Sequence, residues 1–180
     1  HSYDVRIVRD EPGWGDLRLV FPDGASDILR PVIDGGTPTG AFTPMGPSYL
    51  VTGEASGTPG LWNWIRITFP DETKWEFTSP SGSPYRLTKI LDIRDNGICI
   101  NRNPDTSIHS VSTDPAGLNK LLDFNYSTGS LTITDVPSSR TVTLSFVTEA
   151  GATVLKSVTQ VSSSDLKWRY TYGQIGSAAY

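Results

Sequence analysis

The stretch 115–135, PAGLNKLLDFNYSTGSLTITD, contains the unit on which this chain is built: a turn followed by two strands. Its first strand carries Phe124 and Tyr126 two residues apart, and its second alternates Leu with Thr and Ile with Thr from Leu131 to Thr134. Side chains two apart on a strand lie on the same face, so each such pair marks the buried face of a β-hairpin.

Four further units between Phe69 and Tyr172 follow the same pattern. They read FPDETKWEFTSPSGSPYRLTKILD (69–92), IRDNGICINRNPDTSIHSVSTD (93–114), VPSSRTVTLSFVTEAGATVLKSVTQ (136–160) and VSSSDLKWRYTYG (161–173). A period of about 20 to 26 residues is typical of a repeat architecture. The pairs predicted to form the repeat core are Trp75 and Phe77, Ile98 and Ile100, Phe124 and Tyr126, Leu144 and Phe146, and Tyr170 and Tyr172.

These units resemble those of the Rhs, or YD-repeat, proteins. The stretch from Asp114 to Asp135 follows the repeat of that family closely, and the resemblance covers about residues 60–173 and, more faintly, 13–24. The sequence departs from the family where an Asp usually follows the repeat aromatic, since Ser127, Val147 and Gly173 stand there. The resemblance implies strands that continue into a curved sheet, which in the family spirals into a hollow shell. The self-cleaving segment of the family has no counterpart here, so the resemblance implies no catalytic residue.

The pattern predicts an all-β fold in which antiparallel β-hairpin repeats form a continuous curved sheet. If the chain is a rigid monomer, this sheet is expected to close as a sandwich or small barrel with the N-terminal strands; the alternative is an open strip. The predicted division is into N-terminal strands that read as a degenerate repeat (1–33), a Gly/Pro-rich loop or linker with one clear strand at 49–52 (34–60), the repeats (61–173) and a tail (174–180). An open strip of about five to seven units exposes its edges and an apolar face, so we expect self-assembly or a longer repeat chain.

Composition narrows the classes of partner. The net charge of −4 leaves no basic stripe for nucleic acid, and no apolar run is long enough for a membrane span. The single cysteine, Cys99, excludes an internal disulfide framework and is expected to be a packed side chain. The first residues do not read as a signal peptide, so we expect a mature protein, a fragment or a cytosolic chain, and a start at His1 favours the first two. The expected location is secreted or at the cell surface.

Two residue sets suggest chemistry. An N-terminal His1 with His109 would chelate copper in the brace of a secreted copper oxidase or monooxygenase. The alternative is a tag remnant at His1 and a structural His109. Trp14 and Trp62 lie beside Gly-rich loops, and they are the residues predicted to contact a ligand if the chain is a carbohydrate-binding module. The hypothesis favoured by the repeats is a non-catalytic extracellular β-scaffold without cofactor or metal, acting on protein partners through surface binding or self-assembly.

Overall fold

The computed structural model describes residues 5–44, 49–79, 82, 84–149, 151–161, 166–171, 174–175 and 178–179. The predicted all-β class is confirmed, since these residues form strands and turns without a helix. Fifteen strands follow one another in chain order in one antiparallel sheet, and two short strands form a separate pair.

The first eight strands are β1 (Arg6–Arg9), β2 (Leu17–Val20), β3 (Ser26–Asp34), β4 (Thr37–Pro44), β5 (Leu50–Ala55), β6 (Trp62–Thr68), β7 (Lys74–Thr78) and β8 (Tyr85–Leu91). The others are β9 (Gly97–Arg102), β10 (Ile108–Ser112), β11 (Lys120–Ser127), β12 (Ser130–Asp135), β13 (Arg140–Glu149), β14 (Ala152–Val161), β15 (Leu166–Arg169), β16 (Gln174–Ile175) and β17 (Ala178–Ala179). The chain divides into two compact units, residues 1–99 (unit 1) and 100–180 (unit 2).

Unit 1 closes on itself as a barrel-like ring of eight strands. Besides its antiparallel pairing with β2, β1 also pairs with β8, where Ile7 lies opposite Tyr85 and Arg6 opposite Arg86. Of the two closures that the sequence left open, sandwich and small barrel, the structure has the barrel-like one. Closure pairs the edges of β1 and β8 with each other, so neither is left to attract another chain.

The interior of this ring is the hydrophobic core of unit 1. Along β6, Ile65 and Ile67 are fully buried, while Arg66 between them lies on the other face opposite Glu76. This is the strict alternation that the sequence predicts for β6. The buried hydrophobic side chains of β1–β8 are Ile7, Leu17, Leu19, Leu29, Phe42, Val51, Trp62, Ile65, Ile67, Phe77, Tyr85 and Leu87.

The segment 34–60, predicted as a loop or linker with one strand at 49–52, contributes two strands to the ring: β5, on which the predicted strand falls, and β4, which was not predicted. Gly53 on β5 makes room for aromatic rings. A Cβ on Gly53 would lie 2.8 Å from Cε3 of Trp62 and 3.1 Å from the ring of Phe42. Gly53 is therefore part of a strand, where the lack of a side chain lets the rings of Trp62 and Phe42 pack closely against the backbone.

Three turns share one sequence pattern and one geometry. They are 21–25 (FPDGA), 69–73 (FPDET) and 103–107 (NPDTS). In each, the first residue donates its N–H to the carbonyl of the fifth at 2.9 Å, and the Asp accepts the N–H of the fifth at 2.9 to 3.0 Å. The fourth residue has positive φ in all three: Gly24, Glu72 and Thr106. Residues 17–24 and 65–72 each read as a strand that runs into a Phe-Pro-Asp turn, so the two segments are alike in sequence and in structure.

Candidate functional site

The sheet of unit 2 has one apolar face. Register places Leu131 opposite both Tyr126 and Leu144, and Val158 opposite both Leu144 and Trp168. Residues opposite one another share a face, so these five form one row across five strands. The apolar face consists of Leu122, Phe124, Tyr126, Leu131, Ile133, Val142, Leu144, Phe146, Leu155, Val158 and Trp168.

The opposite face of the same strands is polar. One of its rows runs through Asn125, Thr132, Thr143, Thr159 and Lys167, and the next through Ser127, Ser130, Ser145, Ser157 and Arg169. The hydroxyl oxygens of Thr132 and Thr143 lie 3.2 Å apart, and those of Ser127 and Ser130 lie 2.6 Å apart. Unit 2 therefore presents ordered hydroxyl groups on one side and hydrocarbon on the other.

The apolar face is not covered by the other described residues of unit 2. None of its eleven residues is buried, and Tyr126 and Trp168 expose 47% and 48% of their surface. Within the described part of unit 2, the buried residues are three serines, Ser110, Ser112 and Ser157. The apolar face therefore resembles one half of a hydrophobic core, without the second layer of structure that would bury it.

A polar cluster lies at the start of unit 2. The side-chain amide of Asn101 donates to the hydroxyls of Ser110 and Ser112, at 3.2 and 2.9 Å. The following loop is held by Asp114, whose carboxylate accepts the backbone N–H groups of Asn119 and Leu118. These two N–H donors lower the pKa of Asp114 below its ordinary value. The cluster accounts for the two fully buried serines.

A basic cleft lies on the polar side at β14 and β15. It has a volume of about 360 Å³ and is lined by Lys156, Ser157, Lys167, Arg169, Tyr170 and Thr171. A β-bulge shapes it: Ser157 pairs with Ser145 and Leu155 with Phe146, which leaves Lys156 between them without a partner on β13. Sequence reasoning missed this cleft; the signal that could have found it is the step of three residues between the apolar Leu155 and Val158, where regular alternation requires two.

The most buried charge in unit 1 is Glu76, at 5% exposure among the described residues. Its carboxylate accepts hydrogen bonds from Nη2 of Arg66 at 2.7 Å and from Nζ of Lys89 at 2.5 Å. Burial raises the pKa of Glu76, but the hydrogen bonds and charges of Lys89 and Arg66 outweigh it, so the pKa lies below the ordinary 4.5. Arg66 also lies 5.0 Å from the ring centroid of Trp64. This cluster links β6, β7 and β8.

The predicted repeat-core residues differ in burial. Phe77 is fully buried, whereas six are half-buried: Trp75, Ile98, Ile100, Phe124, Leu144 and Phe146. Tyr126 and Tyr170, predicted to point inward, are 47% and 46% exposed, because the described residues of unit 2 place no second layer over them. Tyr172 lies outside the described residues.

The two tryptophans predicted to contact a ligand lie together in unit 1. Their ring centroids are 5.3 Å apart, and Trp62 also packs against Phe42 at 4.7 Å. Trp62 is 3% exposed, and its backbone N–H donates to the hydroxyl of Tyr85 at 3.0 Å. Trp62 is therefore a core residue in this structure, contrary to the prediction of a ligand contact. Trp14 is half-buried, so it is the member of the pair whose ring is partly exposed to solvent.

His109 is exposed on β10, and His1 lies outside the described residues. The copper brace therefore stays a prediction. Across the residues for which coordinates are described, no group of three or more His, Cys, Asp or Glu side chains is placed to hold a metal. Cys99 is buried at 6% exposure, in keeping with the packed side chain expected of it, although alternation places it on the face opposite the predicted core pair Ile98 and Ile100, which are half-buried.

Within the described segments, no helix has the length and apolar character needed to cross a membrane. Family models, curated proteins and solved structures all lack a match to this chain. The resemblance to YD-repeat proteins therefore stays a prediction from the sequence.

Proposed function

We propose that this chain is a non-catalytic, extracellular β-scaffold of the YD-repeat type that works by self-assembly. The apolar face of unit 2 packs against the same face of a second copy. One observation carries the proposal: eleven apolar side chains stand in register on one side of a sheet, and none of them is buried. The extracellular location and the YD-repeat membership come from the sequence pattern alone.

The hydrophobic effect supplies the driving force. Removing apolar surface from water stabilises by about 25 cal/mol per Å². Two sheets that pack face to face bring their side chains into one layer about 10 Å thick. Tyr126 and Trp168, at the two ends of their row, have the most surface to lose in such a contact. Association therefore gives unit 2 the second layer that its own chain does not supply.

Charge favours a second copy of this chain as the partner. Residues 100–180 contain six Lys or Arg and six Asp or Glu, so unit 2 has no net charge. A net charge near zero removes the repulsion that keeps identical surfaces apart. Asp135 lies opposite Arg140 at one end of the apolar face. Each copy therefore brings one negative and one positive side chain to a symmetric contact between two apolar faces.

The test is the mass of the chain in solution as a function of concentration. Light scattering after size-exclusion chromatography is expected to show a mass that rises above 19.6 kDa toward twice that value. Leu144→Lys, in the middle of the apolar face, is expected to hold the chain at the monomer mass. Thr143→Lys is the matched control, because it adds the same charge at the next residue, on the polar face, and is expected to associate normally.

Cysteine labelling provides a second measurement that does not depend on introducing a charge. Tyr126→Cys on the apolar face is expected to react with a maleimide more slowly as the protein concentration rises. Asn125→Cys, exposed on the polar face, is expected to react at a constant rate. A monomer mass at every concentration, or equal behaviour of the two members of either pair, would overturn the proposal.

A further inference from the structure

We infer that the basic cleft between β14 and β15 is a binding site for an acidic polysaccharide. Lys156, Lys167 and Arg169 bind its carboxylate or sulfate groups, and the hydroxyl rows of the polar face bind its sugar hydroxyls. The site lies on the opposite face from the self-assembly surface, so the inference stands apart from the proposed function.

Backbone geometry brings the three cations to one place. Arg169 lies opposite Ser157 and Lys167 opposite Thr159, which puts Lys167 and Arg169 on the polar face two residues apart. Lys156 is the extra residue of the β-bulge, a feature that re-aims a side chain. Its carbonyl accepts the N–H of Tyr170 at 2.9 Å, which fixes the bulge against the end of β15.

The cations are available to a ligand. All three are exposed, and within the described chain none of them forms an ion pair or a hydrogen bond through its side chain with another residue. By contrast, Arg18, Arg30 and Arg66 each pair with a carboxylate. Half of the six Lys and Arg residues of unit 2 thus line one cleft of about 360 Å³.

The surroundings of the cations favour a sugar over other anionic polymers. The serine and threonine rows lead from the cleft across β14 to β11 and offer hydroxyl donors and acceptors, which match a polyhydroxylated chain. Tyr170 also lines the cleft, next to Arg169. A single-stranded nucleic acid calls for several stacking aromatics, and the polar rows contain none.

Binding is tested with the whole chain and defined polymers. Calorimetric titration at low salt is expected to detect binding of heparin or of polygalacturonate, weakening as salt is raised. The heparin and polygalacturonate arms distinguish sulfate from carboxylate recognition. Neutral dextran, poly-glutamate and a single-stranded oligonucleotide are expected to bind at least tenfold more weakly.

Single-charge variants locate the site. Arg169→Gln and Lys167→Gln are each expected to weaken polysaccharide binding by about tenfold, the effect of losing one charge-assisted hydrogen bond. Arg94→Gln removes an exposed cation far from the cleft in sequence and is expected to leave binding unchanged. Leu144→Lys, on the apolar face, is expected to keep it as well.

Several outcomes would overturn the inference. They are absence of binding to both acidic polysaccharides, equal binding of neutral dextran, poly-glutamate or the oligonucleotide, and equal losses in Arg169→Gln and Arg94→Gln. If the polysaccharide binds while the chain stays monomeric, the cleft is supported and the self-assembly proposal alone fails.

Discussion

Units 1 and 2 are built from the same kind of antiparallel hairpin, yet among the residues that the structure describes only those of unit 1 form a hydrophobic core. Twelve hydrophobic side chains are buried within β1–β8, whereas the buried residues in the described part of unit 2 are serines. Both units alternate apolar and polar residues along their strands. The difference lies in closure, since β1 pairs with β8 and the ring supplies its own second layer.

The contrast teaches that alternation and burial are separate properties. A period of two decides which residues share a face, but a face becomes a core only when another layer lies on it. In unit 1 that layer is the opposite wall of the ring. In unit 2 the equivalent residues face outward, which is why we look for their partner in a second copy.

The largest effect on stability is expected when one Phe in each unit is truncated to Ala, and the two losses test the comparison directly. Phe77→Ala, at a fully buried position in unit 1, is expected to lower the free energy of unfolding by about 3–5 kcal/mol. Phe124→Ala, half-buried in unit 2, is expected to cost about 1 kcal/mol in the monomer. Urea unfolding at low protein concentration measures both. Equal losses would mean that the two units do not differ in burial as described.

Close packing in unit 1 is tested at Gly53. Gly53→Ala places a methyl group 2.8 Å from the ring of Trp62 and is expected to destabilise by about 1–3 kcal/mol. Gly57→Ala is the control, because its Cβ would meet nothing within 4 Å. Tryptophan fluorescence during urea unfolding reports on unit 1, which holds four of the five tryptophans. If Gly53→Ala left the stability unchanged, the close packing of Trp62 against this strand would be contradicted.

The charged cluster of unit 1 predicts a dependence of stability on pH. The pKa of Glu76 is lowered on folding, so its stabilisation is present above the ordinary value of 4.5 and is lost as the pH falls through the lower folded value. Glu76→Gln is expected to cost about 1–2 kcal/mol at neutral pH and progressively less in acid. Thermal unfolding of Glu76→Gln and of the parent chain, from neutral pH to about pH 3, measures the difference in stability. This pH range is chosen because the lowered pKa of Glu76 lies below its ordinary value. Glu149→Gln, exposed in unit 2, is expected to match the parent chain throughout.

The smallest effect is expected where the units are alike, in the shared turn. Glu72 in unit 1 and Thr106 in unit 2 adopt positive φ at the position that Gly24 occupies in the first turn. Glu72→Gly and Thr106→Gly are each expected to stabilise by about 0.5–1 kcal/mol by relieving this conformation. Differential scanning calorimetry measures the shift in Tm. A loss of stability in both variants would show that the side chains matter more than the backbone.

Much of the local structure is predictable from the sequence. The hairpin of β6 and β7 follows from alternation in 65–69 and 74–77 around a Pro-Asp turn, and register pairs Ile65 with Phe77 as that pattern requires. The error at 34–60 has a physical cause. Gly and Pro usually interrupt strands, and only the neighbouring rings of Trp62 and Phe42 reveal why Gly53 belongs on one.

The candidate sites were less predictable. Alternation identifies the members of the apolar face, because they follow from residues two apart on paired strands. The basic cleft depends on a one-residue bulge at Lys156, and the sequence shows this bulge only as a shift in the phase of alternation between Leu155 and Val158. Trp62 was misread for a similar reason, because a Gly-rich neighbourhood in sequence says nothing about what covers the ring.

The sequence by itself determined that this protein is made of two-faced antiparallel strands, because local alternation and turn residues act over a few neighbours. Tertiary structure alone decided that β1 meets β8, across about 80 residues, and hence which apolar faces are buried. A pairing so distant along the chain depends on the summed twist and register of every strand between, which no local pattern encodes.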